Sequence, residues 1–133
     1  MIGIDTVKIS RIERLKERFG DKGLKRYLDE DEIKLSSSST SHAGYWAAKE
    51  AVSKALGVGI SKKCSFFDIK LHKDEKKAPY FTLSKHIIDE FEITNTSLSI
   101  THDGEYAVAV AYLESSKKRT KPLFHESSTS DKL

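Results

Sequence analysis

The chain has 133 residues, 38% of them hydrophobic and 32% charged, with a formal net charge of +3, which suits one soluble domain with a modest core. No apolar run approaches the ~20 residues of a membrane helix, the N-terminus lacks the pattern of a signal peptide, and the bases are interleaved with acids, so neither a membrane nor nucleic acid is an expected partner. Cys64 is the single cysteine, which excludes an internal disulfide and makes a reducing cytoplasm the simplest home; beside Phe66 and Phe67 it reads as packing rather than as a nucleophile.

In chain order, Ile2-Gly3-Ile4-Asp5 reads as a short first strand ending on an acid. Ser10 and Glu13 have capping-box spacing, and Ile12, Leu15 and Phe19 then recur at helical intervals up to Gly20. A second short helix is expected over Leu24 to Leu28, and Asp29 with Glu32 signals another helical start. Ser36 to Ser41 is a Ser/Thr run expected to be a loop. The long helix follows, from Ala43 to Leu56, with Gly57 placed as a left-handed cap. Phe67, Ile69 and Leu71 alternate as a strand, Asp74 to Lys77 is a polar turn, and Pro79 opens another extended piece. Ser84 to Phe91 reads as a helix. Leu98, Ile100 and His102 alternate, Asp103-Gly104 is a hairpin signal, and Tyr106 to Leu113 returns. Residues 115–133 are Ser/Lys-rich and read as a tail behind a domain of residues 1–114. The sum is an α+β domain, with helices packed on one face of a small, mostly antiparallel sheet.

Within the long helix, Ala48, Ala51, Val52 and Ala55 form an apolar stripe, Glu50 points away from it, and Lys54 lies one turn further on. A solvated Glu–Lys pair explains this at ~0.2–0.5 kcal/mol. Alternatively, Asp5 and Glu50 are oxygen donors for Mg²⁺ holding a phosphate, with Lys54 offsetting charge beside them. The Gly57-Val58-Gly59 turn would let a ligand approach the backbone, although capping also accounts for Gly57. His102 is either a histidine at a strand end or a contact for a phosphate or ribose. No Walker motif or GxGxxG is present.

The blocks GIDTVKISRI, WAAKEAVSKALGVGI and SLSITHDGEYAVAVA, in this order and spacing, resemble the holo-acyl-carrier-protein synthase family of small bacterial 4′-phosphopantetheinyl transferases, over residues 1 to 114. The resemblance implies transfer of phosphopantetheine from coenzyme A to a serine of apo-acyl carrier protein, releasing adenosine 3′,5′-bisphosphate, in support of fatty acid biosynthesis. It implies Mg²⁺ on Asp5 and Glu50, with Glu50, directly or through a metal-bound water, accepting the serine proton. Lys54, Gly57, Gly59, Pro79 and His102 are the implied coenzyme A contacts. A homotrimer with sites between subunits is implied, as is docking of the acidic carrier on Arg11, Arg14, Arg18 and Arg26, with Lys25 nearby. Three positions depart from the family pattern: Tyr45 stands where arginine is common, Ala78 where a basic residue precedes the proline, and Gly23 where phenylalanine opens the second helix. Unless a nearby lysine such as Lys49 or Lys62 compensates for the charge missing at Tyr45, the 3′-phosphate of coenzyme A is expected to be held less tightly than in relatives. A module that binds carrier proteins without catalysis is the alternative reading.

Overall fold

The computed structural model describes residues 1–118 and 120–127. Strand β1 (Ile2–Lys8) runs straight into helix α1 (Ile9–Phe19), which is followed by the one-turn helices α2 (Asp21–Leu24) and α3 (Glu30–Ile33). The long helix α4 (Ser39–Ala55) comes next, then β2 (Ile69–Lys73), β3 (Pro79–Leu83), α5 (Lys85–Phe91), β4 (Ile93–Asp103) and β5 (Tyr106–Ser115). Strands β1, β5 and β4 form an antiparallel sheet in that order, while β2 and β3 make a separate antiparallel pair. The α+β reading with helices on one face of the main sheet holds.

The packing of α4 on that sheet follows from small side chains. Ala47, Ala48, Ala51 and Ala55 on the helix meet Ala107, Ala109 and Ala111 on β5, all of them buried. Where α4 crosses β1, a Cβ on Gly3 would run into the backbone carbonyl of Ala51, so the residue there has to be glycine for the two backbones to approach so closely. Larger side chains close the periphery: Ile12, Leu24, Tyr27, Leu28, Ile69 and Ile87 join the same core.

Strand alternation leaves the opposite face of the sheet bare. Ile2 and Ile4 on β1 are 71% and 57% exposed, and their register partners Tyr112 and Val110 on β5 are 39% and 38% exposed.

Several expected boundaries move. Strand β1 continues three residues beyond Asp5, which therefore sits in mid-strand rather than at its end. The helix α1 begins at Ile9 after Lys8, without a side-chain cap, so Ser10 and Glu13 form no capping box; the hydrogen bond from Ile9 N to the Glu105 carbonyl anchors the start instead. The box forms at Asp29 and Glu32. The second helix lies at Asp21–Leu24, earlier than Leu24 to Leu28. The Ser/Thr run is partly helical, because Ser38 caps α4 by accepting from Ser41 N and the helix gains a turn. The hairpin turn is Gly104-Glu105 between Asp103 and Tyr106, with glycine at φ 57°, as a two-residue turn opening on glycine requires. Strand β5 ends at Ser115, and residues 119 and 128–133 of the expected tail lie outside the described residues.

Candidate active site

Helix α4 is far more enclosed than a single apolar stripe would make it. Between Ala43 and Leu56 every residue is buried except Trp46, Glu50 and Lys54. Those three recur every fourth position, so they form one open edge along an otherwise covered helix. Chemistry on this element is confined to that edge.

Neighbouring elements bring charge to it. The odd residues of β1 face α4, and Asp5 on that face meets Lys54, whose Nζ lies 2.7 Å from Asp5 Oδ1 and 3.1 Å from the Ile4 carbonyl. Asp5 is 17% and Lys54 51% exposed, so the pair lies at the rim of a cleft. Burial raises the Glu50 carboxyl above its ordinary 4.5, the negative charge of Asp5 raises it further, and Lys54 and Arg11 oppose both. Two carboxylates are thus held close enough to repel, one of them only partly relieved by an ammonium. Gly57 and Gly59, just past Lys54, both take positive φ, and a Cβ on either would meet nothing within 4 Å. The capping reading of Gly57 holds, since its N–H returns to the Lys54 carbonyl, and open space lies beside it.

The remaining expected contacts gather elsewhere. Pro79 and His102 line a cavity of about 410 Å³ together with Tyr45, Thr101 and Lys73, and Ser38, Thr40 and Ser41 wall its helix side. Tyr45 precedes Glu50 by five residues, ~140° around the helix axis. Asp5 on β1 and Ile100 on β4 flank Ala109 of β5, which puts their backbones roughly 10 Å apart. Asp5, Glu50 and Lys54 therefore occupy one flank of α4, and the cavity with Pro79 and His102 occupies the other. A single chain does not bring the two sets together.

Aromatic rings fix three of the arginines expected to dock the carrier. The Arg11 guanidinium lies 4.7 Å from the Trp46 ring centroid, and Trp46 in turn packs on Tyr27 and Phe66. Arg18 and Arg26 both lie over Phe19, at 5.4 and 4.2 Å. Arg14 folds back on Ser10, and Lys25 is 4.0 Å from Glu30. Arg11 is the one whose charge reaches Glu50.

The two lysines named from sequence as possible stand-ins for the charge missing at Tyr45 do not line the cavity beside it. Lys49 is fully buried and turned into the core, donating to Glu32 and to the carbonyls of Tyr27 and Phe66, and Lys62 is exposed away from the cavity walls. The lysine that lines the cavity is Lys73, held by the Leu35 carbonyl. It escaped the sequence reading because only the pairing of β2 with β3, which sets Lys73 opposite Pro79, brings it there. Tyr45 is 4% exposed and its hydroxyl lacks a hydrogen bond of good geometry, although Ser41 stands beside it. Gly23 is also explained: a Cβ would sit 2.8 Å from the Leu15 side chain and 2.9 Å from its carbonyl, so no phenylalanine fits, and Leu24 and Tyr27 supply the apolar anchors instead.

Comparison with known proteins places these features in a family. The family model of the 4′-phosphopantetheinyl transferase superfamily matches residues 1–111. A holo-[acyl-carrier-protein] synthase of Sulfurimonas denitrificans is 55% identical over 115 residues, covering 86% of this chain and 95% of that protein. The same enzyme of Campylobacter curvus is 57% identical over 111 residues, covering 84% and 97%. Among solved structures, Helicobacter pylori holo-[acyl-carrier-protein] synthase in complex with coenzyme A superimposes with a TM-score of 0.83 at 51% identity, covering 86% of this chain and 100% of that one.

Proposed function

The chain belongs to the 4′-phosphopantetheinyl transferase superfamily, and from that membership and the geometry of α4 we propose that it is a holo-[acyl-carrier-protein] synthase. It transfers the 4′-phosphopantetheine arm of coenzyme A to a serine of apo-acyl carrier protein and releases adenosine 3′,5′-bisphosphate, in support of fatty acid biosynthesis. The observation that carries this reading is the open edge of α4, where Lys54 bonds Asp5 from β1 and Glu50 feels the charge of both.

The chemistry follows from that edge. The serine oxygen attacks the β-phosphorus, the bond from that phosphorus to the bridging oxygen breaks, and the bridging oxygen leaves with the bisphosphate. Glu50, whose carboxyl is raised by burial and by Asp5, accepts the serine proton directly or through a water. The Lys54 ammonium balances charge on the departing bisphosphate. The nucleophile belongs to the carrier protein, so a buried Cys64 with its thiol pushed up to about 11 by burial is no obstacle.

A divalent ion fits the donors. Asp5 and Glu50 are hard oxygen ligands that repel each other, a pairing that a cation between them would relieve. Mg²⁺ is commonly held by one or two carboxylates with phosphate and water completing the shell, the number of acids that Asp5 and Glu50 provide. When bound there, Mg²⁺ would neutralise the pyrophosphate.

The division of contacts between two flanks of α4 supports a homotrimer with sites between subunits. Coenzyme A would lie on Asp5, Glu50, Lys54 and the Gly57–Gly59 turn of one subunit and on the Tyr45–Pro79–His102 cavity of its neighbour. The bare apolar sheet face around Ile2, Ile4, Val110 and Tyr112 is a surface that assembly would cover. The acidic carrier protein docks on the basic side of α1, with Arg11 nearest the reacting groups. No helix of the described residues is long and apolar enough to cross a membrane, and a lone buried Cys64 suits a reducing cytoplasm.

The test is mass spectrometry of apo-acyl carrier protein after incubation with coenzyme A, Mg²⁺ and the protein. The expected result is a gain of one phosphopantetheine, lost in Asp5→Ala and Glu50→Ala variants that keep the wild-type circular dichroism. Binding of carrier protein without any mass gain would replace the enzyme by a non-catalytic module.

A further inference from the structure

The long helix carries a second buried titratable group that the transfer reaction does not use. His42, 2% exposed, stands in the first turns of α4 between the residues that wall the cavity. Its Nε2 lies 2.7 Å from the Ser36 carbonyl and its Nδ1 3.3 Å from Lys16 Nζ. A carbonyl only accepts and an ammonium only donates, so both contacts are satisfied by one species alone, the neutral imidazole with its proton on Nε2. The same Lys16 ammonium bonds the Ser37 carbonyl and the Ser39 hydroxyl. One cation from α1 and one imidazole from α4 thus gather Ser36, Ser37 and Ser39, in the stretch that precedes and begins the helix.

We propose that this Lys16–His42–Ser36 contact is a proton-sensitive clamp, and that His42 is a positioning residue for the cavity wall formed by Ser38, Thr40, Ser41 and Tyr45. The proposal rests on the reading that this cavity receives part of coenzyme A. Protonated His42 has two donors and no acceptor, and it sets a second positive charge against Lys16, so the contact must open. The groups facing the imidazole from the other elements are Lys16 on α1, Asp21 on α2, Tyr27, whose hydroxyl donates to the His42 carbonyl, and Lys34 after α3, with the Tyr45 ring 6.1 Å away on its own helix. A cavity of about 310 Å³ lined by Lys16, Asp21, Ser36 and Ser37 gives water a path to the ring. Burial is the main force holding His42 below its ordinary 6.5; Lys16 adds to it, and the carbonyls of Ser36 and Ile33 with Asp21 pull the other way. A lowered folded value means that the clamp contributes fully above pH 6.5 and is lost as pH falls through the folded value.

The test measures binding of coenzyme A by calorimetry with Mg²⁺ at about pH 8 and about pH 5.5, together with amide exchange, corrected for intrinsic rate, over residues 36–42. In wild type, acid should weaken binding and strip protection from these amides. His42→Gln keeps a donor for the Ser36 carbonyl, carries its acceptor oxygen on Cδ rather than at the Nδ1 position that faces Lys16, and does not titrate. It should bind coenzyme A about tenfold more weakly at the higher pH and lose the acid-dependent step in protection; titration of coenzyme A itself is common to both proteins and cancels in the comparison. If His42→Gln fails to fold, Lys16→Met should show the same loss at the higher pH and a smaller acid response. An identical acid response in wild type and variant, in binding and in loop protection, would overturn the clamp. Lys73→Met and Thr101→Val separate the two readings: if neither changes coenzyme A binding while the acid step in protection persists, the clamp stands and the cavity assignment fails.

Discussion

Lys49→Met puts the internal logic of α4 to a quantitative test. Lys49 Nζ lies 2.9 Å from Glu32 Oε2, 3.0 Å from Oε1, 2.8 Å from the Tyr27 carbonyl and 3.0 Å from that of Phe66. Both charged side chains are 1% exposed or less. Burial holds the Lys49 ammonium below its ordinary 10.5, and Glu32 opposes this. Methionine matches the stem in volume, removes the charge, and leaves Glu32 with only the Asp29 and Leu71 N–H donors. Breaking one side of a buried pair costs ~3–5 kcal/mol, a large part of the ~5–15 kcal/mol that holds a typical domain folded. At a urea slope of ~2 kcal/mol/M the midpoint should fall by roughly 2 M, measured by circular dichroism at fixed protein concentration because assembly makes stability concentration-dependent. Pairing Lys49→Met with Glu32→Gln should recover at least ~1 kcal/mol relative to the sum of the single variants, since the orphaned charge is then gone. A single-variant loss under ~1 kcal/mol, with no recovery in the double, would refute the account of the pair as the pin between α4, α3 and β2.

Three further outcomes are expected. Mixing Asp5→Ala subunits with His102→Ala subunits under conditions of exchange should restore about a quarter of the sites if they form between neighbours in a ring, whereas Asp5→Ala mixed with Glu50→Ala should stay inactive, because one chain supplies both acids; recovery in the second mixture and none in the first would reverse the assignment. Arg11→Glu should raise the KM for carrier protein about three- to tenfold while changing that for coenzyme A little, and rising salt should narrow the gap between wild type and variant; equal effects on both substrates would remove Arg11 from the docking face. The Cys64 thiol, pushed up to about 11 by burial and then by Asp68, leaves only about one molecule in a thousand as thiolate near pH 8, so the folded protein should resist a thiol-reactive dye that modifies it at once in urea; rapid labelling of folded protein would contradict that burial.

Local features of the chain were legible because local physics dictates them. The alternation of β4 and β5, the glycine turn between them, the helical repeat of α4 and its stop at Gly57 each depend on residues within a few positions of one another. The carboxylates and the lysine at positions 5, 50 and 54 could be read from their blocks, and Glu50 from its direction relative to the alanine stripe. What lay out of reach was every contact made across the chain. Nothing near Lys49 reveals that it turns inward to Glu32 while its neighbour Glu50 turns outward, since both are charged residues on one helix and only the approach of α3 and β2 distinguishes them. Gly3 could be read as a strand residue but not as the point where β1 touches the backbone of α4. Lys73, Tyr45 and His102 come from three separate elements, and no spacing in sequence encodes the cavity they share. Side-chain periodicity determines which face of an element is apolar; tertiary packing decides which polar residue on the other faces is enclosed, paired or left open to a ligand, because that depends on distances between segments that sequence spacing does not contain.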